Sequence, residues 1–575
     1  MKKILLYCLP LCLLFASCSD LLDEESYSET GKDNYLNNAK EAETVLQGVY
    51  KNLANEYTYS YHLSLLFTIS TDIAQCEGSS TTSFREIPTN SHNASTSQIS
   101  RTWQKLYSAI YDANDFIETV SGRMDNWGSS DRELATIYLG EARALRALFY
   151  FELVRWYGNV VLMTSTADSR RKDETFEQTA AKDVYAYIEE DLKYAAEVLP
   201  WAVDDTRRTT NAYRFSKGAA LGLLAKVYCT WAGYPVRDES KWAEAEKAAR
   251  RVVESGKHRL ISDYETVWKN TCNGIWDAGE SLIEVSFYSP TGLDSDNTAG
   301  RIGKWNGVSA TTVEGERGRN AANWKVTYNF TREWEAQNDP RMALSIADYK
   351  YDHTLGSGPI TYFSTISGAT PSEEQKNRQR QLFTPGKWDT EKYVEAANYI
   401  VNNDKSNVNW YILRYSDVLL LFAEALNESG GSVVDAVDAV NAVRRRGFGD
   451  TKHDLSYGLS REDLREAIRK ERAYELCFEG HRKQDLIRWG IYYDRVMETA
   501  QELVDWYSNA NYAVSRYIIK GRHELLPIPQ RDLDMMPKCK QNSTVGIKLP
   551  WTLNDEENWN RTHRLAGVLW VAGGL

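Results

Sequence analysis

The segment 139–157 constrains the fold of this chain more than any other part of the sequence. It reads LGEARALRALFYFELVRWY, and its charged residues fall away from one apolar helical face. That face is formed by Ala142, Leu145, Leu148 and Phe149. Apolar residues at this spacing predict an amphipathic helix that buries one side against a neighbour.

Further runs with the same periodicity occur at 184–199, 216–232 and 242–255. The last two are joined through a Gly-Tyr-Pro turn and are rich in alanine, which allows two antiparallel helices to approach closely. Their apolar spacing is similar to that of a tetratricopeptide helix pair, which repeats about every 34 residues. Comparable pairs are expected at 415–445 and 462–490. The sequence therefore predicts stacked antiparallel helix pairs.

Three other stretches, at 76–100, 270–329 and 351–388, are rich in glycine and polar residues. Long connections of this kind usually carry function or are disordered. The stretch 270–329 also carries several tryptophan and tyrosine residues, and disordered segments are poor in aromatics. We therefore expect an ordered, loop-rich region there.

The N-terminus has the features of a secretory signal. Lys2 and Lys3 precede the apolar run 4–16, which is shorter than the roughly 20 residues that span a bilayer. Ser17 and Cys18 follow, and 14–18 resembles a bacterial lipobox apart from a phenylalanine where a small or aliphatic residue is usual. We expect cleavage after residue 17 and a lipid on Cys18.

The acidic stretch after Cys18, SDLLDEE, predicts a solvated tether. It resembles the surface-export signals of Bacteroidetes lipoproteins, although an ordinary polar linker would look the same. Loss of Lys2 and Lys3 with the signal would change the net charge from −12 to −14. A chain of this charge repels phosphate backbones, so we expect no nucleic-acid partner.

Five of the eight cysteines remain after Cys8, Cys12 and Cys18 are set aside. They are Cys76, Cys229, Cys272, Cys477 and Cys539. Their wide and irregular spacing matches neither a disulfide framework nor a metal knuckle, so we expect buried thiols with at most one or two bridges.

Four segments resemble the SusD/RagB family of outer-membrane nutrient-binding lipoproteins. They are GEARALRALFYFELVRWYGNV at 140–160, RYSDVLLLFAEALNE at 414–428, RKERAYELCFEGHRKQDLIRWG at 469–490 and LLPIPQRDLDMMPKCKQN at 525–542. The family's closing Asn-Pro-Gly is replaced after Asn542 by Ser-Thr-Val, and the chain continues to Leu575.

The resemblance implies an all-α fold in which tetratricopeptide-like helix pairs form a superhelical scaffold beside a loop-rich ligand-binding region. It also implies a role in which the protein holds an oligosaccharide for a SusC-like, TonB-dependent barrel transporter of the outer membrane. The resulting division of the chain is a signal peptide at 1–17, a lipidated tether at 18–30, an N-terminal helical part at 31–265, a C-terminal part at 266–542 and an extension of unknown role at 543–575.

The charged residues inside the family segments are interpreted as ion pairs between packed helices rather than as catalytic groups. They are Arg143, Arg146, Glu424, Glu471, Arg472, Glu479, Arg482, Asp485 and Arg488, together with Trp489. The sequence contains no nucleophile elbow, zinc-protease motif, Cys-x-x-Cys, phosphate loop or dinucleotide fingerprint. We therefore predict a protein that is not an enzyme and that uses no cofactor and no metal.

Sugars present weakly polar C–H faces and rings of hydroxyls, so a glycan site needs flat aromatic platforms flanked by polar groups. Trp103 lies in a helical pattern and is expected in the core. The predicted ligand-binding residues lie instead in loops, and they are Phe84, Trp276, Tyr288, Arg301, Trp305, Asn306 and Trp324.

Three alternatives remain open at this stage. A peptide or another nutrient could occupy the same scaffold. A surface glycoside hydrolase would need two loop carboxylates facing one cleft. A purely structural scaffold would show a concave groove without clustered aromatic residues.

Overall fold

The computed structural model describes residues 35–169, 177–205, 214–290, 298–367 and 370–535, and these residues are mostly helical. The helices of the first half are α1 (Ala39–Lys51), α2 (Ser97–Arg123), α3 (Ser129–Tyr157), α4 (Thr166–Ser169), α5 (Ala181–Val198), α6 (Lys217–Ala232), α7 (Lys241–Val253) and α8 (Tyr264–Cys272).

The helices of the second half are α9 (Tyr328–Glu335), α10 (Arg341–Ser345), α11 (Glu373–Arg380), α12 (Thr390–Tyr393), α13 (Tyr415–Ser429), α14 (Val433–Phe448), α15 (Arg461–Glu475), α16 (Arg482–Arg488), α17 (Tyr492–Trp506) and α18 (Gln530–Met535). The strands are β1 (Ala74–Cys76), β2 (Ser281–Val285), β3 (Trp324–Val326), β4 (Ile346–Ala347), β5 (Tyr349–Tyr351), β6 (Pro359–Thr361), β7 (Thr384–Pro385) and β8 (Trp410–Arg414).

The helix pairs predicted at 216–255 and 415–445 are confirmed, and the stretch 462–490 forms the two helices α15 and α16. Helix α3 packs against α2 and α5, α6 packs against α5 and α7, and α13 packs against α7, α14 and α15. Two glycines lie where neighbouring elements pack closely. A Cβ on Gly140 would lie 2.5 Å from Val198, and one on Gly222 would lie 2.8 Å from Leu413. The all-α scaffold therefore depends on small residues at its crossings.

Helix α6 lies at the centre of this array and is buried on nearly all sides. Its sequence is therefore apolar around the whole helix rather than along one stripe. Trp103 of α2 is also buried, with 3% of its surface exposed, and it packs edge-on against Tyr157. The prediction that Trp103 belongs to the core is confirmed.

Short antiparallel strand pairs hold the loop-rich part together, and they are β1 with β3, β2 with β8, β4 with β7 and β5 with β6. The pair β2–β8 contacts α6, so it attaches the loops to the helical array. The pair β1–β3 joins segments that are far apart in the chain. The sequence analysis did not predict these strands, each of which is five residues long or shorter.

A network of fully buried charges links β8 to α15 and to the segment after it. Arg414 is 0% exposed, and its guanidinium lies 2.6 Å from Glu280, 3.0 Å from Glu475 and 2.7 Å from Glu479. Burial alone would raise the pKa of Glu475, but Arg446 and Arg414 together hold it at about 2. The carboxylate of Glu475 therefore stays charged inside the protein.

The family-segment charges pair as predicted. Arg488 binds Glu424 at 2.6 Å, and Arg472 binds Asp485 at 2.9 Å. The remaining pairs are Arg146–Asp191, Arg341–Glu471, Arg414–Glu479 and Arg482–Asp72. Arg143 differs, because its guanidinium lies 4.2 Å from the ring centre of Tyr194 and forms a cation–π contact.

Four cysteines lie within the described residues, and all four are buried free thiols, as predicted for structural cysteines. Cys18, Cys539 and the extension from 543 lie outside the described part of the chain. Of the helices that the structure describes, none is both long enough and apolar enough to cross a bilayer.

Candidate ligand-binding site

Three of the predicted residues meet at one place, together with a residue that the sequence analysis did not single out. The ring centre of Trp305 lies 5.0 Å from that of Phe84 and 4.8 Å from that of Tyr61. The guanidinium of Arg301 lies 4.5 Å from the ring centre of Tyr61 and 5.2 Å from that of Trp305. We call these four residues, Tyr61, Phe84, Arg301 and Trp305, the aromatic cluster.

Two tight turns place the first half of the aromatic cluster. Tyr61 directly precedes the π-helical turn His62–Leu66. Backbone N–H groups of that turn donate hydrogen bonds to the carbonyl of Tyr61. Phe84 lies in the short 3₁₀ turn Ser83–Arg85, and the guanidinium of Arg85 covers one side of its ring at 4.5 Å. Both aromatic rings are therefore held by local backbone structure.

The loop 298–306 positions Arg301 and Trp305, the other two residues of the aromatic cluster. The backbone N–H of Arg301 donates to the carbonyl of Ser60 at 3.0 Å, which fastens this loop beside Tyr61. Gly303 has a φ of +78°, and a Cβ there would lie 2.5 Å from Thr390. The turn at Gly303 therefore requires glycine. Within this turn the backbone N–H of Trp305 donates a hydrogen bond to the carbonyl of Arg301 at 3.1 Å.

Two carboxylates surround the guanidinium of Arg301. Glu56 lies 2.8 Å from it and Asp404 lies 3.0 Å from it. Asp404 also accepts a hydrogen bond from the indole N–H of Trp305 at 2.6 Å. The side chain of Arg301 is 18% exposed while those of Glu56 and Asp404 are 32% and 44% exposed, so the two carboxylates are the more accessible polar groups of the site.

This arrangement suits a sugar ring. The partly exposed rings of Trp305 and Phe84 offer apolar surface, and the ring of Tyr61 packs against Trp305. Carboxylate oxygens accept hydrogen bonds from hydroxyls, and a guanidinium donates several in a fixed fork. A ligand with both C–H faces and hydroxyls can satisfy all of these groups at once.

Two predicted residues do not have the expected environment. The expectation that Trp324 lies exposed in a loop is wrong, because it belongs to β3, pairs with Cys76 of β1 and is only 3% exposed. Asn306 is 0% exposed, and its side-chain oxygen accepts a hydrogen bond from the backbone N–H of Gly303 at 2.7 Å. Packing and turn formation occupy these two side chains.

Two other predicted residues lie away from the aromatic cluster. Trp276 is half-buried in the connection between α8 and β2, where none of its described contacts reaches the cluster. Tyr288 follows β2 and is 69% exposed. It lies at the edge of a separate cavity of about 430 Å³.

Tyr61, Glu56 and Asp404 were not among the residues predicted from the sequence. A usable signal was present in EYTYSYH at 56–62, where tyrosine alternates with other residues outside any helical period. Asp404 is harder to find, because it reaches Trp305 only through the fold.

Comparison with known proteins gives a consistent result. A model described as "SusD family" matches residues 286–545, and one described as "Starch-binding associating with outer membrane" matches residues 20–229. A third model, for the SdpI/YfhL protein family, matches residues 538–575, which lie almost wholly outside the family segments.

Relatives and solved structures agree with these models. A crystal structure of a SusD homolog from Bacteroides thetaiotaomicron is 53% identical, with a TM-score of 0.85, and the match covers 90% of this chain and 99% of that one. A SusD-like protein P2 from Formosa agariphila is 25% identical, over 85% of this chain and 91% of the relative. A laminarin-binding SusD-like protein shares the fold at 22% identity and a TM-score of 0.65, covering 87% and 98% of the two chains.

Proposed function

The chain belongs to the SusD family, and we propose that it is a non-enzymatic glycan-binding lipoprotein of the outer membrane. The observation that carries the proposal is the aromatic cluster, in which rings in tilted and edge-on contact meet Arg301 and two partly exposed carboxylates. The ligand-contacting residues that we propose are Phe84, Arg301 and Trp305, with Glu56 and Asp404 at the polar edge.

The names of similar proteins support the same class of ligand. One is described as laminarin-binding, and another, from Bacteroides fluxus, as a surface glycan-binding protein A. Their sequence identities of 22% and 20% leave the identity of the sugar open.

The site favours binding over hydrolysis. Glu56 and Asp404 face the same place, as a glycosidase would need. However, both are tied to Arg301, and Asp404 also holds the indole of Trp305. A carboxylate that is paired with Arg301 and holds Trp305 positions the aromatic cluster. A general acid would instead need a proton that it can donate to the scissile bond.

The first prediction tests binding without turnover. The purified protein, titrated with malto- and laminari-oligosaccharides in a calorimeter, should bind at least one series and return it with no increase in reducing ends. A tryptic digest of casein serves as the peptide comparison. Release of reducing ends would support the hydrolase, and binding of peptides alone would replace the glycan with a peptide ligand.

The second prediction concerns the membrane and the transporter. We propose that Cys18 carries the lipid and that the protein delivers its ligand to a SusC-like, TonB-dependent barrel. Labelled fatty acid should enter the wild-type protein and not Cys18→Ala, and gentle detergent extraction of the wild type should co-purify a large β-barrel protein. Equal labelling of both proteins would contradict the anchor, and isolation of the wild type without a barrel would contradict the delivery role.

A further inference from the structure

A second cavity lies near the aromatic cluster, between the end of α1 and the end of β2. Its volume is about 430 Å³, within the usual range for small-molecule sites. Its wall includes Gly48, Leu53, Ala54, Val285 and Tyr288. We call this cavity the Tyr288 pocket.

Tyr288 is fixed in place although its ring is exposed. It is the most exposed aromatic residue in the described part of the chain, at 69%. Its N–H donates to the carbonyl of Thr298 at 3.2 Å, and the hydroxyl of Thr298 donates back to the carbonyl of Tyr288 at 2.7 Å. The backbone that carries this exposed ring is therefore fixed before any ligand binds, which lowers the cost of ordering it on binding.

Two segments of the chain connect the Tyr288 pocket to the aromatic cluster. Thr298 lines the pocket, and Arg301 of the cluster follows three residues later, which is at most about 10 Å of extended chain. On the opposite side, Ala54 lines the pocket and Glu56 pairs with Arg301 at 2.8 Å. The hydroxyl of Ser60 donates to the carbonyl of Ala299 at 3.0 Å and fastens the two sides together.

The chemistry of the pocket wall resembles that of a sugar platform. Leu53, Ala54 and Val285 provide apolar surface beside the Tyr288 ring. Glu284 also lines the pocket, but its carboxyl oxygens are engaged by Ser281 at 2.7 Å and Asn409 at 2.8 Å. Burial raises the pKa of Glu284 to about 7, so this part of the wall carries little charge in mildly acidic solution.

We propose that the Tyr288 pocket is a second subsite for the same glycan, in which a further sugar ring lies against Tyr288 while another occupies the aromatic cluster. This inference rests on the proposed function and adds a length requirement. The ligand is an oligosaccharide or polysaccharide long enough to reach both places, and a short oligosaccharide binds in the aromatic cluster alone.

A larger side chain at position 48 can fill the pocket without disturbing the fold. Gly48 lies on the exposed side of α1, and a Cβ added there meets no atom within 4 Å. Replacing a helical glycine by a residue with a side chain also favours the helix. Gly122 in α2 is a matched control, because it too is exposed, helical and without a neighbour within 4 Å of an added Cβ.

The test compares Gly48→Leu and Tyr288→Ala with Gly122→Leu, using a trisaccharide and a heptasaccharide of the series that the wild type binds. Both pocket variants should bind the heptasaccharide about tenfold more weakly and the trisaccharide as the wild type does. Gly122→Leu should bind both as the wild type does, and melting curves should show that all three variants fold. Unchanged heptasaccharide binding by Gly48→Leu and Tyr288→Ala would overturn the second subsite.

The same measurements separate this inference from the proposed function. If the wild type binds no glycan, the proposed function fails. If the wild type binds and Trp305→Ala weakens both oligosaccharides while the pocket variants bind the heptasaccharide normally, only the second subsite fails.

Discussion

Arg414→Met should lower the free energy of unfolding by about 3–5 kcal/mol, because removal of one member of a buried ionic network leaves charge without compensation. Arg414 contacts Glu280, Glu475 and Glu479, and all four side chains are at most 1% exposed. The methionine fills part of the volume but cannot donate to any of these carboxylates. Denaturant unfolding at pH 7, followed by circular dichroism, measures the loss.

Arg445→Met is the matched control. Arg445 is 42% exposed and pairs with Asp454 on the surface of α14, so its loss should cost less than about 1 kcal/mol.

Acid provides a second check. Arg446 and Arg414 keep the pKa of Glu475 below its ordinary value despite burial, so the stability that Glu475 contributes is present above its unfolded pKa and is lost as the pH falls. The difference in free energy of unfolding between wild type and Arg414→Met should therefore become smaller as the pH falls. A difference that stays constant with pH would mean that the variant loses packing alone.

The helical part of the fold could be predicted from the sequence because its signal is local. Segment 139–157 forms α3 since its apolar residues repeat at helical spacing, and the same reasoning located α5, α6 and α7. The charged residues of the family segments could be assigned to ion pairs from the sequence, but the partner of each could not be predicted. Asp72, which pairs with Arg482, comes from the other end of the chain.

The loop-rich part could be predicted only in outline. Trp305 and Trp324 both lie in polar, glycine-rich sequence, yet Trp305 is only partly buried and Trp324 is fully buried. The difference arises because Trp324 pairs with Cys76 in a two-stranded sheet, and no local pattern reports such a distant partner. The same limit explains why Tyr61 and Asp404 were missed, since they meet Trp305 through tertiary contacts alone.

Trp305→Ala should weaken glycan binding at least about tenfold, because it removes a stacking surface worth about 1–3 kcal/mol. It also releases Asp404, which accepts the indole N–H, and it removes one of the rings that Arg301 covers. Trp305 packs against Tyr61 and Phe84, so the variant should also lose some stability. Binding is therefore measured by calorimetry well below the melting temperature of the variant.

Trp276→Ala provides the comparison that separates stacking from general damage. Trp276 is another half-buried loop tryptophan, and its indole nitrogen has no hydrogen-bond partner within the described structure. Its replacement should lower the melting temperature by a similar amount and leave binding unchanged, because it lies outside the aromatic cluster. Trp305→Phe should bind with intermediate affinity, since a phenyl ring retains part of the stacking surface but cannot donate to Asp404. Normal binding by Trp305→Ala, or equal losses in Trp305→Ala and Trp276→Ala, would place the ligand elsewhere on the protein.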